Sequence, residues 1–305
     1  MNNKLYDYSP SITRPALKLP DGKRVALWVG LNIEHYEIDK PSTSIYPGTA
    51  GLVPDPMNYG WRDYGVRVGV WRVMEALDKV GMRASVLLNS DVCAQYPQII
   101  LEGNKRNWCW VTHGKNNSML QASTNFPGAT SKESFDKEKQ FLEEMIKTIE
   151  SSTGHRPKGW LGPALTETFN TPEILASLGL TYLLDWCSDD QPFSLNVKNG
   201  KMISVPYSIE VNDITLFLCK NASEQRYCQV LMDQFDRLYR DGEKSGQVMA
   251  IPLHPFLVGE PFRIKYLEKA LEHMVQHKDV WLTTSDDIAE WYIKENGNSR
   301  AIKDG

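Results

Sequence analysis

Hydrophobic positions come in two alternating rhythms along this chain. Residues 24–33 form a nearly continuous apolar run, which suits a strand covered on both faces, as in a parallel sheet. Val66, Val70, Val73, Met74, Leu77 and Val80 then repeat at helical spacing, and Gly81 follows as a stop signal. Residues 83–88 read as a second buried strand, 90–103 as a helix and 108–112 as a strand. Thr130 and Glu133 have the spacing of a capping box ahead of a helical stripe at Phe141, Leu142, Met145, Ile146 and Ile149. Pro172 opens another helix, Gly179 ends it, and 181–185 resumes as a strand. Strands are expected at 202–205, 214–219, 248–253 and 280–283. Helices are expected at 224–240 and 264–277, with a last one from Ser285 to 292.

This alternation predicts a mainly parallel sheet with helices outside it. About seven such units bring the sheet near barrel closure, with an open doubly wound sheet as the alternative. No break suggests a boundary within residues 23–293. Residues 1–22, with Pro10, Pro15 and Pro20, read as an extended arm, and 294–305 as a polar tail. The stretch 41–62 is rich in Pro, Gly, Ser and Tyr and reads as a long loop.

Composition narrows the function classes. A length of 305 residues suits one α/β barrel, and 41% hydrophobic residues suffice for a large core. The net charge is −4 with no long basic run, which argues against nucleic acid and anionic membranes as partners. No apolar stretch reaches the length of a membrane span, and the first residues lack a signal peptide's apolar core. Five cysteines, none in a Cys-x-x-Cys pair, argue against a disulfide framework and a thiolate zinc site. The expected location is the cytoplasm.

Parallel α/β folds carry their chemistry at the C-terminal ends of strands. Here those ends hold Glu34 and His35, His113 followed by Gly114, Asp185, and His254 followed by Pro255. Two carboxylates and three histidines form an inventory for general acid–base hydrolysis. His155, His273 and His277 read as surface residues. The chain has no His-Glu-x-x-His motif; a metal site built from Glu34, His35 and His113 stays chemically open.

The same residues carry a resemblance. Asn32-Ile33-Glu34-His35, His113 with Asn117 four residues on, Leu161-Gly162-Pro163, the segment from Asp185 to Asp190, and Leu253-His254 follow the motif order of the polysaccharide deacetylase superfamily. Histidine replaces the second acid of the first motif, asparagine the second histidine of the second, and leucine the arginine of the third. Segments 64–72, 205–213, 253–263 and 280–289 resemble the branch that includes the metal-independent allantoinases.

The resemblance implies a deacetylase-like, distorted (β/α) barrel that hydrolyses an amide or ureide C–N bond of a small substrate. Glu34 is then the expected general base, His254 the general acid, and His113 an oxyanion partner. Asp185 is expected to orient His254 or bind a substrate N–H. Arg67 and Asn212 are candidates for binding substrate oxygens, with His35 and Asn117 nearby. Trp61, Trp160 and Trp186 are candidate pocket walls. The cofactor expectation is no metal in preference to one zinc ion. A homo-oligomer is implied as well. The competing readings are a metal-dependent polysaccharide or peptidoglycan N-deacetylase and an inactive small-molecule-binding homologue.

Overall fold

The computed structural model describes residues 4–40, 47–49, 51–119 and 132–296. Thr130 of the expected capping box and the tail beyond Asn296 lie outside the described residues. The strands are β1 (Val25–Ile33), β2 (Ala84–Leu88), β3 (Cys109–Thr112), β4 (Gly159–Trp160), β5 (Tyr182–Leu183), β6 (Phe193–Leu195), β7 (Met202–Ser204), β8 (Gln247–Leu253) and β9 (Val280–Leu282). The helices are α1 (Pro56–Tyr64), α2 (Val70–Val80), α3 (Ser90–Gln95), α4 (Pro97–Lys105), α5 (Lys132–Thr153), α6 (Thr171–Ser177), α7 (Glu224–Asp241), α8 (Pro255–Val258), α9 (Ile264–Val275) and α10 (Ser285–Asn296). No helix among the described residues is long and apolar enough to cross a membrane.

The sheet order is β6-β7-β5-β4-β3-β2-β1-β8, and β9 pairs with the start of β1. All these pairings are parallel except that of β6 with β7. The sheet curls into a partial barrel. Trp28 of β1, Val111 of β3, Tyr182 of β5 and Ile203 of β7 share one apolar cluster inside it. The Val248 N–H donates to the Asp190 carbonyl, linking β8 to the segment ahead of β6 across the two ends of the strand order. The arm ahead of β1 lies on the domain, with its Leu17 N–H donating to Ser245 and its Arg14 paired with Asp189.

Successive side chains on a strand point to opposite faces, and this alternation sorts the core. On β1, Ala26 and Trp28 face the barrel interior, while Val25, Leu27, Val29, Leu31 and Ile33 pack under the helices. On β3, Cys109 and Val111 are inside and Trp110 is outside. On β8, Val248 and Ala250 are inside and Met249, Ile251 and Leu253 are outside. Gly30 also faces inward, where a Cβ would come within 2.9 Å of the Tyr207 ring. Tyr207 thus fills the interior, and its hydroxyl accepts from the Asn32 amide at 3.1 Å.

Three expectations change. Residues 214–219 are a helical turn, not a strand, because the Ile214 N–H is capped by both Asn212 and Asp213 side chains. The helix expected at 90–103 breaks into α3 and α4 at Tyr96-Pro97, since Pro97 has no N–H to continue α3. Of the expected loop 41–62, residues 41–46 and 50 lie outside the described residues, and 56–62 belong to α1, which Asp55 caps through the Asn58 N–H.

Candidate active site

Glu34 continues the inward phase of Trp28, Gly30 and Asn32, one step past the end of β1. His113 continues Val111, and His254 continues Ala250. Strand alternation therefore sends all three side chains to the same mouth of the barrel. They meet there. Glu34 Oε1 lies 3.4 Å from His113 Nε2 and 3.8 Å from His254 Nε2. Tyr36 donates its hydroxyl to Glu34 Oε2 at 2.7 Å, and the Asn117 amide donates to Oε1.

Each imidazole is held from behind. His113 Nδ1 bonds the Leu161 carbonyl at 2.8 Å, which leaves Nε2 as the atom presented to Glu34. His254 Nδ1 bonds Asp213 Oδ1 at 2.6 Å, and the His254 backbone N–H donates to Asp213 Oδ2 at 2.6 Å. Asp213 is fully buried. Burial alone lowers the pKa of His254, but the charge and hydrogen bond of Asp213 and the charge of Glu34 raise it overall above its ordinary 6.5. Burial likewise raises Glu34, and the hydrogen bond of His113 with the charges of His254 and His113 reverses this, taking it down to about 2. The site therefore holds a carboxylate beside an imidazole that keeps its proton well.

A hydrogen-bond chain fixes which atoms face inward. The His35 backbone N–H can only donate, and it donates to Asn89 Oδ1 at 2.9 Å. The Asn89 amide nitrogen then donates to Asn117 Oδ1 at 3.0 Å. Asn117 consequently presents its NH₂, not its oxygen, to Glu34. Asn117 therefore cannot take the place of the second ligand histidine of the resemblance, because an amide N–H cannot ligate an ion. His35 is also turned away, its Nδ1 facing the Tyr96 hydroxyl at 3.2 Å. Glu34, His35 and His113 thus do not gather as the three-ligand set that the sequence left open.

Several expected residues lie elsewhere. Asp185 does not reach His254; Asp213 takes that position. Asp185 Oδ1 accepts from the Gly162 N–H at 2.7 Å. Its burial pushes its pKa upward, and Glu167, buried beside that charge, is pushed upward too. Arg67 is exposed and faces Asp63 at 3.5 Å. Asn212 accepts from Ile214 and serves the helical turn. Trp160 is fully buried among Leu142, Ile174 and Leu183 outside the barrel, because it sits on the outward phase of β4. Trp186 donates to Glu167 at 3.0 Å, and Trp61 packs edge-on against Phe256.

Sequence reading missed Asp213 and Arg62. Arg62 is buried, with its guanidinium 3.9 Å above the Tyr36 ring. It lines a cleft of about 200 Å³ together with Glu34, Tyr36, Tyr59, Asp63, Val66 and Tyr96. The signal for Arg62 was its place four residues before Val66, on the buried stripe. The signal for Asp213 was a carboxylate next to the Asn212 that the sequence singled out.

No family profile matches the chain. It is 25% identical over 269 residues to a Schizosaccharomyces pombe protein provisionally named a polysaccharide deacetylase, covering 80% of this chain and 81% of that one. Two solved structures superpose with a TM-score of 0.80 at 24% identity. One is a Pseudomonas aeruginosa PAO1 protein given the same provisional name, matched over 92% of this chain and 95% of that one. The other is the allantoinase PuuE, matched over 95% of this chain and 98% of that one. The resemblance to the polysaccharide deacetylase superfamily thus holds in sequence across most of the chain and in fold across nearly all of it.

Proposed function

We propose that the protein hydrolyses a carbon–nitrogen bond other than a peptide bond, in an amide or ureide of a small molecule. One observation carries this reading: the Glu34 carboxylate lies within 3.8 Å of both His113 and the Asp213-bound His254 and lines the cleft beside Arg62. Glu34 takes a proton from water as the water oxygen bonds to the substrate carbonyl carbon. The carbonyl electron pair moves onto oxygen, and the Arg62 guanidinium and His113 in its imidazolium form, with an Nε2–H to donate, stabilise that charge. The carbonyl then reforms, the C–N bond breaks, and His254 Nε2 gives its proton to the departing nitrogen. Substrate entering between Glu34 and the imidazoles lengthens the contacts that hold its pKa low, and so restores its basicity.

No step uses a metal ion, a reading supported by the NH₂ that Asn117 turns toward Glu34. The homo-oligomer implied by the resemblance belongs to the same reading, and light scattering tests it.

The test is turnover of allantoin, simple formamides and an N-acetylated chitooligosaccharide, with and without EDTA. A small amide or ureide is expected to react at a rate EDTA leaves unchanged. Glu34→Gln is expected to lower kcat by on the order of 10²- to 10⁴-fold while the protein still folds. Hydrolysis of the oligosaccharide alone, abolished by EDTA, would instead favour the metal-dependent deacetylase. Binding of a small ureide without turnover would favour the inactive homologue.

A further inference from the structure

We infer that the seam between α7 and α9 is a zinc-class metal site, remote from Glu34. Asp236 of α7, His273 in the last turn of α9 and His277 just beyond it place one ligand atom each within 4.8 Å of one another. His273 is on the last turn of the helix and His277 is two residues past its end, where the chain still brings the two imidazole centroids within 5.2 Å of each other. Asp236 supplies the third ligand from the neighbouring helix. Among the described residues this is the one such cluster of three.

The ligands are arranged in advance. His277 Nδ1–H donates to the His273 carbonyl at 3.0 Å, which leaves its Nε2 lone pair free. A backbone carbonyl behind a ligating imidazole is the usual way its tautomer and orientation are fixed. The Phe235 ring packs edge-on against both imidazoles, with centroids 6.0 Å from His273 and 4.9 Å from His277. Tyr239, stacked on Phe235 at 5.7 Å, also packs edge-on against His277 at 4.8 Å. These rings limit how far the imidazoles can swing.

The third edge is already short. His273 Nε2 and Asp236 Oδ1 are 2.7 Å apart, sharing a hydrogen bond. Zinc bonds of about 2.0 Å to N and O need ligand atoms roughly 3.3 Å apart in a tetrahedron. A small side-chain opening therefore lets the ion replace the shared proton, which is released to solvent. Imidazole and carboxylate suit zinc, cobalt or nickel, with water completing the shell.

Topology gives the site a structural role. α7 leads into β8 and α9 into β9, and both strands pair with β1. The ligands stand near the helix ends that precede those strands, at the end of the barrel opposite the mouth. An ion there would tie the two helices together without touching the catalytic cleft.

Zinc binding to the full chain, stripped first with EDTA, tests this by isothermal titration alongside thermal melts. The wild type is expected to bind one more equivalent than His273→Ala/His277→Ala, and to melt higher with zinc than without. His277→Gln, which keeps the side chain's bulk, is expected to weaken binding tenfold or more and to lose most of the melting shift. Turnover of the hydrolase substrate is expected to be the same in both variants and the wild type. Equal zinc stoichiometry in wild type and double variant would overturn the site, as would no binding by the wild type at 100 µM zinc.

Discussion

The proton on His254 depends chiefly on one carboxylate, Asp213, with Glu34 adding to it. Asp213 grips both its ring and its backbone N–H, and its charge helps hold the pKa of His254 above the ordinary value. A general acid acts in its protonated form, so turnover is expected to fall as pH rises through that raised value. Glu34 acts as the carboxylate, and even at its ordinary 4.5 with substrate bound it is ionised near neutrality, so no matching fall is expected from it there. Asp213→Asn removes the charge that supports the imidazolium. It is expected to lower kcat on the order of 10²- to 10⁴-fold and to move the alkaline limb toward lower pH. A profile with an unmoved alkaline limb would show that Asp213 only supports the loop. Much of this site was legible at the residue scale. The inward phases of β1, β3 and β8 deliver Glu34, His113 and His254 to one mouth, and that phase can be counted in the sequence. Counting also places Asp185 out of phase with Tyr182 and Leu184, which face inward. Asp213 was harder to find because it lies on an irregular segment, where no period predicts direction.

Helix phase explains the other exchange of residues. Val66, Val70, Val73 and Leu77 form the buried stripe, and one turn back along it is Arg62. Arg67 is five residues further on, about 140° around the helix, and points to solvent. The segment that joins α1 to α2 also sets the position of His254. A Cβ on Gly69 would lie 2.1 Å from the Pro255 carbonyl oxygen, directly after His254. Gly69→Ala must therefore push α8 away or bend the helix. We expect a loss of about 1–3 kcal/mol of stability, with a fall in kcat larger than any change in KM. Gly60, inside α1, has nothing within 4 Å of its Cβ position. Gly60→Ala is expected to be neutral or to gain up to about 1 kcal/mol. Denaturant unfolding and steady-state kinetics of the pair make the comparison, and equal behaviour of the two variants would dismiss the close-packing argument. The strands β4 and β6 were not expected from sequence because neither contains a run of three apolar residues, whereas the equally short β5 and β9 lie in Tyr182-Leu183-Leu184 and Val280-Trp281-Leu282.

At the scale of the whole molecule, the barrel carries a stability term that opposes alkaline pH. The Trp160 indole lies near Asp185 and draws its pKa down, without meeting hydrogen-bond geometry. Asp185 Oδ2 and Glu167 Oε2 are buried with no hydrogen-bond partner. Burial raises the pKa of both, and the charge of Asp185 raises Glu167 further. The folded chain therefore keeps protons that the unfolded chain gives up above the ordinary values of 3.8 and 4.5. Stability from these groups is full below that range and is lost as pH rises through their raised folded values. Each proton so held contributes a slope of about 1.4 kcal/mol per pH unit while only the folded state retains it. Glu34 is depressed and works in the opposite direction, but its window lies between about 2 and its ordinary 4.5, below the one that matters here. Asp185→Asn keeps an oxygen to accept the Gly162 N–H and removes both one titration and the repulsion on Glu167. Its unfolding free energy, followed from pH 5 to pH 9 by denaturant titration, is expected to decline less steeply than that of the wild type. The two curves should draw together or cross toward alkaline pH. Curves that run parallel across the whole range would mean that the buried pair is not the source of the slope, because removing one of its two carboxyls must change the difference in bound protons between the folded and unfolded chain.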